Sequence, residues 1–308
     1  MALLLLMPGR DTHDWKSKLL AKDPDLDVRI WPDVGKADEI LMTVVWNQPP
    51  GALKKFKNLR CVASLGAGVD HILADPDLPA GVAVTRIVDE QLNRMMAEYV
   101  TLAVLHHYRQ FDRYEQHKQR AEWKPEPPPN RGFHVGVMGL GVIGGHVAQK
   151  LSEFGFSVLG WARSRKSLPG IRSFAGDAEL GAFASLSNIL VCLLPLTPQT
   201  RGILNQGLFS MLPRGAYVVN VARGEHLVEE DLLAAIGSGQ LSGACLDVFR
   251  QEPLPPEHPF WRHPKIMVTP HIASVTQPEN VAAQIVENYR RLLQEKPLLH
   301  QVDIRRGY

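Results

Sequence analysis

Short apolar runs alternate with polar, helix-forming stretches over the first hundred residues of the chain. The apolar runs are rich in Leu, Val and Ile and are too short for buried helices, so they favour buried strands. Strands that alternate with helices are typical of a parallel sheet covered by helices on both faces. The predicted strands are Leu3–Met7, Val28–Trp31, Glu39–Val45, Arg60–Ser64 and Val82–Thr85.

A long helical pattern follows, from about Glu90 to Ala121, and it is apolar in its first part and polar in its second. The proline-rich segment Trp123–Asn130 ends it, because proline cannot continue a helix. We predict that this proline cluster marks a domain boundary.

A second alternating series begins after the proline cluster and leads to a last predicted helix, Pro278–Gln294. Two such series in 308 residues fit two domains of about 100–200 residues each. Hydrophobic residues make up 45% of the chain, which is enough for a core in each domain. The predicted strands of the second series are Phe133–Met138, Ser157–Trp161, Ile189–Leu194, Tyr217–Val221, Ala244–Val248 and Ile266–Val268.

Charge and cysteine content narrow the possible partners. The net charge is +2, so we expect neither a nucleic-acid partner nor a membrane surface. Cys61, Cys192 and Cys245 lie in apolar runs without the spacing of a metal site, so we expect reduced core thiols and no metal. The apolar start Met1–Met7 lacks the basic stretch and cleavage site of a secretory signal. We therefore predict a first strand there and a cytoplasmic protein.

Three glycines, Gly139, Gly141 and Gly144, follow a predicted strand and precede a helical pattern. In a dinucleotide-binding turn the first glycine makes the turn, the second lets the pyrophosphate approach, and the third packs helix on strand. The helix N-terminus offers free N–H groups to the phosphates. Because strand and helix flank the glycines correctly, we predict a NAD(P) site here that also includes Leu140, Val142 and Ile143.

The end of the next strand indicates which cofactor is preferred. A NAD site usually places an acidic residue there to bind the ribose 2′-OH. In this chain Trp161 is followed after one residue by the basic segment Arg163, Ser164, Arg165 and Lys166. Guanidinium groups form charge-assisted, often bidentate hydrogen bonds with phosphates. We predict NADPH as the preferred cofactor and NADH as a possible one, with a merely solvated basic loop as the alternative interpretation.

Arg223, Glu252 and His271 each follow a predicted strand of the second series. Their side chains are expected at the carboxyl edge of the sheet, where open parallel sheets bind ligands. Arginine can bind a carboxylate and polarise a ketone, and histidine can supply a proton as hydride arrives at carbon. A neighbouring glutamate favours the protonated imidazole. The three residues predict an oxo-acid reductase.

Most of the 12 histidines are expected to take no part in this chemistry. His106 and His107 lie in the long helical pattern, His146 follows the glycine turn, and His226 lies in a predicted loop. Only His271 combines a strand end with a suitable glutamate upstream.

The motifs resemble, in order and along essentially the whole chain, those of the D-isomer-specific 2-hydroxyacid dehydrogenase family. They are the glycine turn, the three catalytic segments, Ser64–His71, Trp161–Lys166, Leu194–Thr200 and the terminal segment from Gln301 to Tyr308. The resemblance implies an α/β fold in which a Rossmann domain is inserted into a smaller, flavodoxin-like substrate domain. The NAD(P)-binding domain would be residues 96–276, including the long linking helix, and the substrate domain residues 1–95 and 277–308.

The same resemblance implies an activity and an assembly. The activity is the NADPH-dependent reduction of a small 2-oxo acid, glyoxylate to glycolate or hydroxypyruvate to D-glycerate. The assembly is a homodimer, formed through the cofactor domain and the helix near residues 90–121.

The resemblance also implies individual roles. Arg223 would bind the substrate carboxylate and carbonyl, His271 would be the general acid, and Glu252 would orient His271. The loop Ala67-Gly68-Val69 would offer backbone N–H groups to the carboxylate. Asp247 would face the nicotinamide carboxamide. Further cofactor contacts would come from Leu194, Pro195, Thr200, Val221, Ala222, His271 and Ala273.

Two tryptophans are further candidates for substrate binding. Trp46 follows a strand of the first domain and would cap the pocket, which would favour two- or three-carbon acids; a partly buried loop ring is the alternative. Trp123 lies where related reductases insert a tryptophan into the partner's active site.

Two other interpretations stay open. The same chemistry could serve a phosphoglycerate, formate or bulky 2-hydroxy acid, although formate lacks the proton transfer that a glutamate–histidine pair serves. Alternatively the chain could be an NAD(H)-sensing, co-repressor-like protein that binds peptides, because fold alone does not fix function.

Overall fold

The computed structural model describes residues 1–127 and 132–308 and divides into two compact units. The first unit comprises Met1–Gln91 and Val275–Tyr308, and the second comprises Leu92–Ser274. These bounds lie a few residues from the predicted domain limits at 95 and 277. Within the described ranges, no helix is long and apolar enough to cross a membrane.

The strands and α-helices of the described residues are numbered in chain order. The strands are β1 Ala2–Leu6, β2 Val28–Ile30, β3 Ile40–Val45, β4 Cys61–Ser64, β5 Ala83–Thr85, β6 His134–Met138, β7 Ser157–Ala162, β8 Arg172–Ala175, β9 Ile189–Cys192, β10 Ala216–Asn220, β11 Leu241–Leu246 and β12 Ile266–Val268. The helices are α1 Thr12–Lys22, α2 Asp70–Leu73, α3 Glu90–Tyr108, α4 Phe111–Gln119, α5 Val142–Glu153, α6 Leu180–Ala184, α7 Gln206–Met211, α8 Glu229–Gly237 and α9 Pro278–Leu293.

The first unit contains a parallel sheet in the order β2-β1-β3-β4-β5, which is the flavodoxin-like doubly wound order. Every residue of β1 and β3 is buried, as expected for inner strands covered on both faces. The C-terminal segment returns to this sheet, where the Val302 N–H donates to the Val84 carbonyl at 2.8 Å. The end of the chain therefore completes the unit that its beginning starts.

The second unit contains a parallel sheet in the order β12-β11-β10-β9-β6-β7-β8. Counted within this unit, the order is the Rossmann order 3-2-1-4-5-6 with a seventh strand added at the edge. Successive residues of the inner strands enter two different core clusters, so apolar side chains cover both faces. Val137 belongs to one cluster, for example, and Met138 to the other.

The helix predicted from Glu90 to Ala121 is two helices, α3 and α4. Gln110 lies between them in the left-handed region, with φ of +59°, which a continuous helix does not allow. Its side-chain amide donates to the Pro127 carbonyl at 2.8 Å. The single long helix was therefore a wrong prediction, because polarity alone did not mark this break.

The prediction that the proline cluster marks a domain boundary was also wrong. Its described part, up to Pro127, lies inside the second unit, and residues 128–131 lie outside the described residues. The physical reason is the packing of α3: Met96, Val100 and Val104 join the core cluster that contains Val135 of β6. Helix α3 thus belongs to the second unit for most of its length.

Strand β8 was not predicted. It is the edge strand of the second sheet, and only Phe174 among its residues is buried. A strand with one buried side chain has no apolar run to detect.

Candidate active site

The carboxyl ends of the parallel strands in the second sheet lie along one edge. The residues predicted to bind cofactor and perform catalysis in this unit follow those ends. The glycine turn follows β6, and the basic segment follows β7. Leu194–Thr200 come after β9, and Val221–Arg223 come after β10. Asp247 and Glu252 come after β11, and His271 comes after β12.

The glycine turn has the geometry that a pyrophosphate site requires. Gly139 has φ of +100°, and a Cβ there would lie 2.7 Å from the Leu193 carbonyl oxygen. A Cβ on Gly144 would lie 1.8 Å from the Gly139 carbonyl oxygen, so α5 packs closely on β6. Gly141 is the N-cap of α5, and a Cβ on it would meet no described atom within 4 Å. The helix N-terminus is thus open to an anion, and these residues fit a dinucleotide.

The basic segment after β7 is partly engaged within its own loop. The Arg165 guanidinium forms an ion pair with Glu179 and donates to the Ser173 carbonyl. The second oxygen of Glu179 accepts the Ala175 N–H at 2.6 Å. This N–H and the Arg165 guanidinium hold the pKa of the Glu179 carboxyl below its usual value.

Two predicted cofactor residues have side chains that pack into the protein. The Trp161 ring is buried, and its indole N–H donates to the Gly176 carbonyl at 2.9 Å. Leu140 is buried as well, and its side chain lies where a Cβ on Gly160 would be, at 2.5 Å. Both side chains belong to the core clusters of the sheet.

The backbone of Arg223 is fixed by Asn220, the last residue of β10. The Asn220 amide donates to the Arg223 carbonyl at 2.9 Å and accepts the Ala222 N–H at 3.2 Å. The Arg223 guanidinium donates to the Ala222 carbonyl at 2.7 Å. Asn220 is fully buried and was not predicted, although a polar residue ending an apolar strand was the available signal.

His271 and Glu252 form the predicted pair. Nδ1 of His271 lies 2.7 Å from Oε2 of Glu252, and the other carboxylate oxygen accepts the Phe249 N–H at 3.0 Å. Burial works to raise the pKa of Glu252, but the bonds from His271 and Phe249 and the charge of Arg223 hold it below its usual value. An ionised Glu252 makes Nδ1 the donor in this pair, which leaves Nε2 as the atom that can exchange a proton with a substrate.

Asp247 holds the turn that carries His271. Its carboxylate accepts the Thr269 hydroxyl at 2.6 Å and the N–H groups of Ile272 and Ala273 at 2.9 Å each. Its carbonyl accepts the His271 N–H at 2.8 Å. This support is needed because His271 has φ of +54°, a conformation that non-glycine residues rarely adopt. The contact of Asp247 with a nicotinamide stays a prediction.

Comparison with known proteins decides the family. The family model of the D-isomer specific 2-hydroxyacid dehydrogenase NAD-binding domain matches residues 101–273. Glyoxylate/hydroxypyruvate reductase A of Yersinia enterocolitica is 44% identical over 316 aligned residues, which cover 100% of each chain. The chain belongs to the D-isomer specific 2-hydroxyacid dehydrogenases.

Solved structures of such dehydrogenases share the fold. A D-isomer specific 2-hydroxyacid dehydrogenase from Xanthobacter autotrophicus Py2, in complex with NADPH and MES, is 43% identical with a TM-score of 0.95, covering 100% of this chain and 99% of that one. An NADPH-dependent glyoxylate/hydroxypyruvate reductase from Sinorhizobium meliloti, in complex with NADP and sulfate, is 36% identical with a TM-score of 0.92 and covers 100% and 99%. The predicted family, fold class and enzyme class are confirmed.

The substrate candidates Trp46 and Ala67–Val69 of this dehydrogenase lie in the first unit, around the loop after β4. The half-buried Trp46 indole lies against this loop, since a Cβ on Gly66 would be 3.0 Å from its Cζ3. Its ring centroid is 5.2 Å from that of His71, and the Arg10 guanidinium lies over the ring at 5.5 Å. Within the loop, the Ser64 hydroxyl donates to the Gly68 carbonyl at 2.6 Å. Trp46 and the loop Ala67–Val69 are thus brought together, whereas their contact with substrate stays a prediction.

Trp123 lies shortly after α4 in the second unit of the dehydrogenase and is fully exposed. Its insertion into a partner's site stays a prediction. Among the residues that the structure describes, no group of three or more His, Cys, Asp or Glu side chains could hold a metal ion.

Proposed function

We propose that this dehydrogenase reduces a small 2-oxo acid with NADPH, glyoxylate to glycolate or hydroxypyruvate to D-glycerate. The observation that carries the proposal is the His271–Glu252 pair, with 2.7 Å between Nδ1 and Oε2, on the sheet edge that also bears Arg223 and the glycine turn. The names of the Yersinia and Sinorhizobium relatives support these substrates.

The chain's own residues can perform the binding and the proton transfer. The Arg223 guanidinium binds the substrate carboxylate and draws electron density from the neighbouring carbonyl. As the carbonyl becomes an alkoxide, Nε2 of His271 donates its proton to that oxygen, and Glu252 stabilises the imidazolium before the transfer. The hydride that completes the reduction is the chemistry supplied by bound NADPH. In the oxidative direction, neutral His271 accepts the hydroxyl proton.

The preference for NADPH rests on the segment from Arg163 to Lys166. It follows β7, the strand whose end faces the ribose in this fold, and it carries three cationic side chains where a NAD site has a carboxylate. The solved structures of the Xanthobacter and Sinorhizobium relatives contain NADPH and NADP, respectively. We expect NADH to be the weaker of the two cofactors.

We propose further that the enzyme is a cytoplasmic homodimer. Large apolar side chains are exposed on α3 and α4, among them Leu102 and Phe111, and their burial against a second copy of the chain would favour association. All three cysteines are free, buried thiols, which suits a reducing compartment.

Initial rates of nicotinamide oxidation test the proposal. Glyoxylate, hydroxypyruvate and pyruvate are each combined with NADPH and with NADH, in wild type and in His271→Asn. We expect fast turnover of one or both of the first two acids with NADPH, and a loss of at least about a hundredfold in the variant, as for removal of a general acid. NADPH binding without oxidation in any pair would overturn the proposed activity.

A further inference from the structure

His226 is a buried titratable side chain that the proposed chemistry does not use. It follows Arg223 by three residues, within the short 3-10 turn Gly224–His226, and none of its surface is exposed. The backbone of this turn pairs with the loop after β9, since the Leu204 N–H donates to the His226 carbonyl at 2.8 Å. The ring thus lies between the segment that carries Arg223 and the loop predicted to line the cofactor.

The two ring nitrogens of His226 contact these two segments separately. Nδ1 lies 3.2 Å from the Arg223 backbone nitrogen and 3.2 Å from its carbonyl oxygen. Nε2 lies 3.3 Å from the Pro195 carbonyl oxygen. That oxygen also accepts a hydrogen bond from the Thr200 hydroxyl at 2.7 Å. This bond joins the two ends of the loop from Pro195 to Thr200.

The direction of these bonds follows from their chemistry. The Pro195 oxygen can only accept, so Nε2 carries the proton. Burial lowers the pKa of His226, more than the two backbone contacts raise it, and the ring therefore holds a single proton. Nδ1 then accepts the N–H of Arg223, and each nitrogen has one fixed role.

We propose that His226 is a positioning residue that ties the substrate-binding Arg223 to the cofactor loop at Pro195. The inference rests on the proposed function, because it assigns a carboxylate to Arg223 and NADPH to the loop. Through Nδ1 the ring fixes the backbone from which the Arg223 guanidinium extends. Through Nε2 it fixes the Pro195 carbonyl, and with it the shape of the loop.

Two conservative variants separate the two contacts. His226→Asn places its amide near the position of Nδ1, so it can accept from Arg223 but cannot reach Pro195. His226→Gln places its amide near Nε2, so it can donate to Pro195 but leaves the Arg223 N–H without this acceptor. His226→Phe keeps the ring and loses both. The exposed His13 supplies the control, His13→Asn.

Three quantities are measured for each variant: KM for glyoxylate, the inhibition constant of oxamate as a non-reactive acid, and the Kd of NADPH by fluorescence titration. A lost hydrogen bond corresponds to a change of about fivefold. We expect His226→Asn to raise the Kd of NADPH by about fivefold. We expect His226→Gln to raise the KM for glyoxylate and the inhibition constant of oxamate by about fivefold each. His226→Phe should raise all three quantities. Thermal melting shows which variants are folded.

Equal effects of Asn and Gln on all three quantities would indicate a merely structural role and overturn the proposal. Changes below twofold in both folded variants would overturn it as well. If Phe does not fold, the Asn and Gln pair still decides. If the wild type reduces no oxo acid, the proposed function has failed, whereas the NADPH titration still tests the Pro195 contact independently.

Discussion

The cofactor preference can be tested at the scale of one residue, Arg165. Its guanidinium already lies on the Glu179 carboxylate, so a 2′-phosphate would join an existing ion pair that is largely exposed to solvent. We expect Arg165→Gln to raise the Kd of NADPH by about fivefold, since an exposed charge-assisted bond contributes about 1 kcal/mol, and to leave the Kd of NADH unchanged. Fluorescence titration of both cofactors measures this.

Arg214→Gln is the matched control for Arg165→Gln, because it removes the same charge from a residue that precedes β10 at the opposite edge of the sheet. Similar losses for NADPH in both variants would show a general effect of charge. A parallel loss for NADH would assign Arg165 to a part of the cofactor other than the 2′-phosphate.

At this scale the sequence allowed some side chains to be predicted and not others. Gly139 and Gly144 could be predicted because the tight turn that requires them lies within a few residues of the chain. The structure shows the close contact that this turn requires at each of them. The roles of His226 and Asp247 depend on partners that follow other strands, Pro195 after β9 and Ile272 after β12. No local pattern records such partners, and this is why the sequence assigned His226 no part in the chemistry.

At the scale of elements, α3 packs a histidine onto the sheet. His107 stacks on Tyr217 of β10 with ring centroids 4.1 Å apart, and burial lowers its pKa to about 4. As pH falls below about 6.5, His107 becomes protonated in the unfolded chain, whereas in the native chain it stays neutral down to about pH 4. Native stability should therefore fall through this window, by on the order of 3 kcal/mol at most. Urea unfolding at pH 7.5 and pH 5 measures the loss.

His107→Phe should make that loss smaller, because phenylalanine keeps the stacked ring and takes no proton. Nδ1 of His107 is buried and has no hydrogen-bond partner among the described residues, so the change sacrifices no bond there. His13→Phe, at an exposed site, serves as the matched control and should keep the wild-type pH dependence. An unchanged pH dependence in His107→Phe would contradict the buried, neutral state of this histidine.

The hydrophobic pattern predicted the elements that are buried along their whole length, because such elements consist of apolar residues. Strands β1, β3 and β9 are buried at every position, and apolar runs mark them within a residue or two. The break at Gln110 and the edge strand β8 are set by tertiary contacts and by pairing with β7, which leave no periodic signal. The order of strands in each sheet came from the family resemblance, since alternation alone indicates a parallel sheet but not its order.

At the scale of the whole molecule, the proposed dimer follows from apolar surface on α3 and α4. Leu102 is 65% exposed and Phe111 57%, and both lie in a segment rich in large side chains. Burial of such side chains favours association, by about 1.5–3 kcal/mol for each one that becomes fully covered. We expect light scattering on a sizing column to give twice the chain mass of 34.3 kDa, and Leu102→Glu with Phe111→Glu to give the chain mass.

Met211→Glu is the control for that experiment, because Met211 is also exposed but ends α7, whose Leu208 and Phe209 pack into the core cluster on the other face of the sheet from α3. It should leave the mass doubled. A wild-type protein of single chain mass at micromolar concentration would refute the dimer. A dimer that survives the double substitution but dissociates in Met211→Glu would move the interface to the α7 face of the sheet, and Trp123 would then lose its predicted route into a partner's active site.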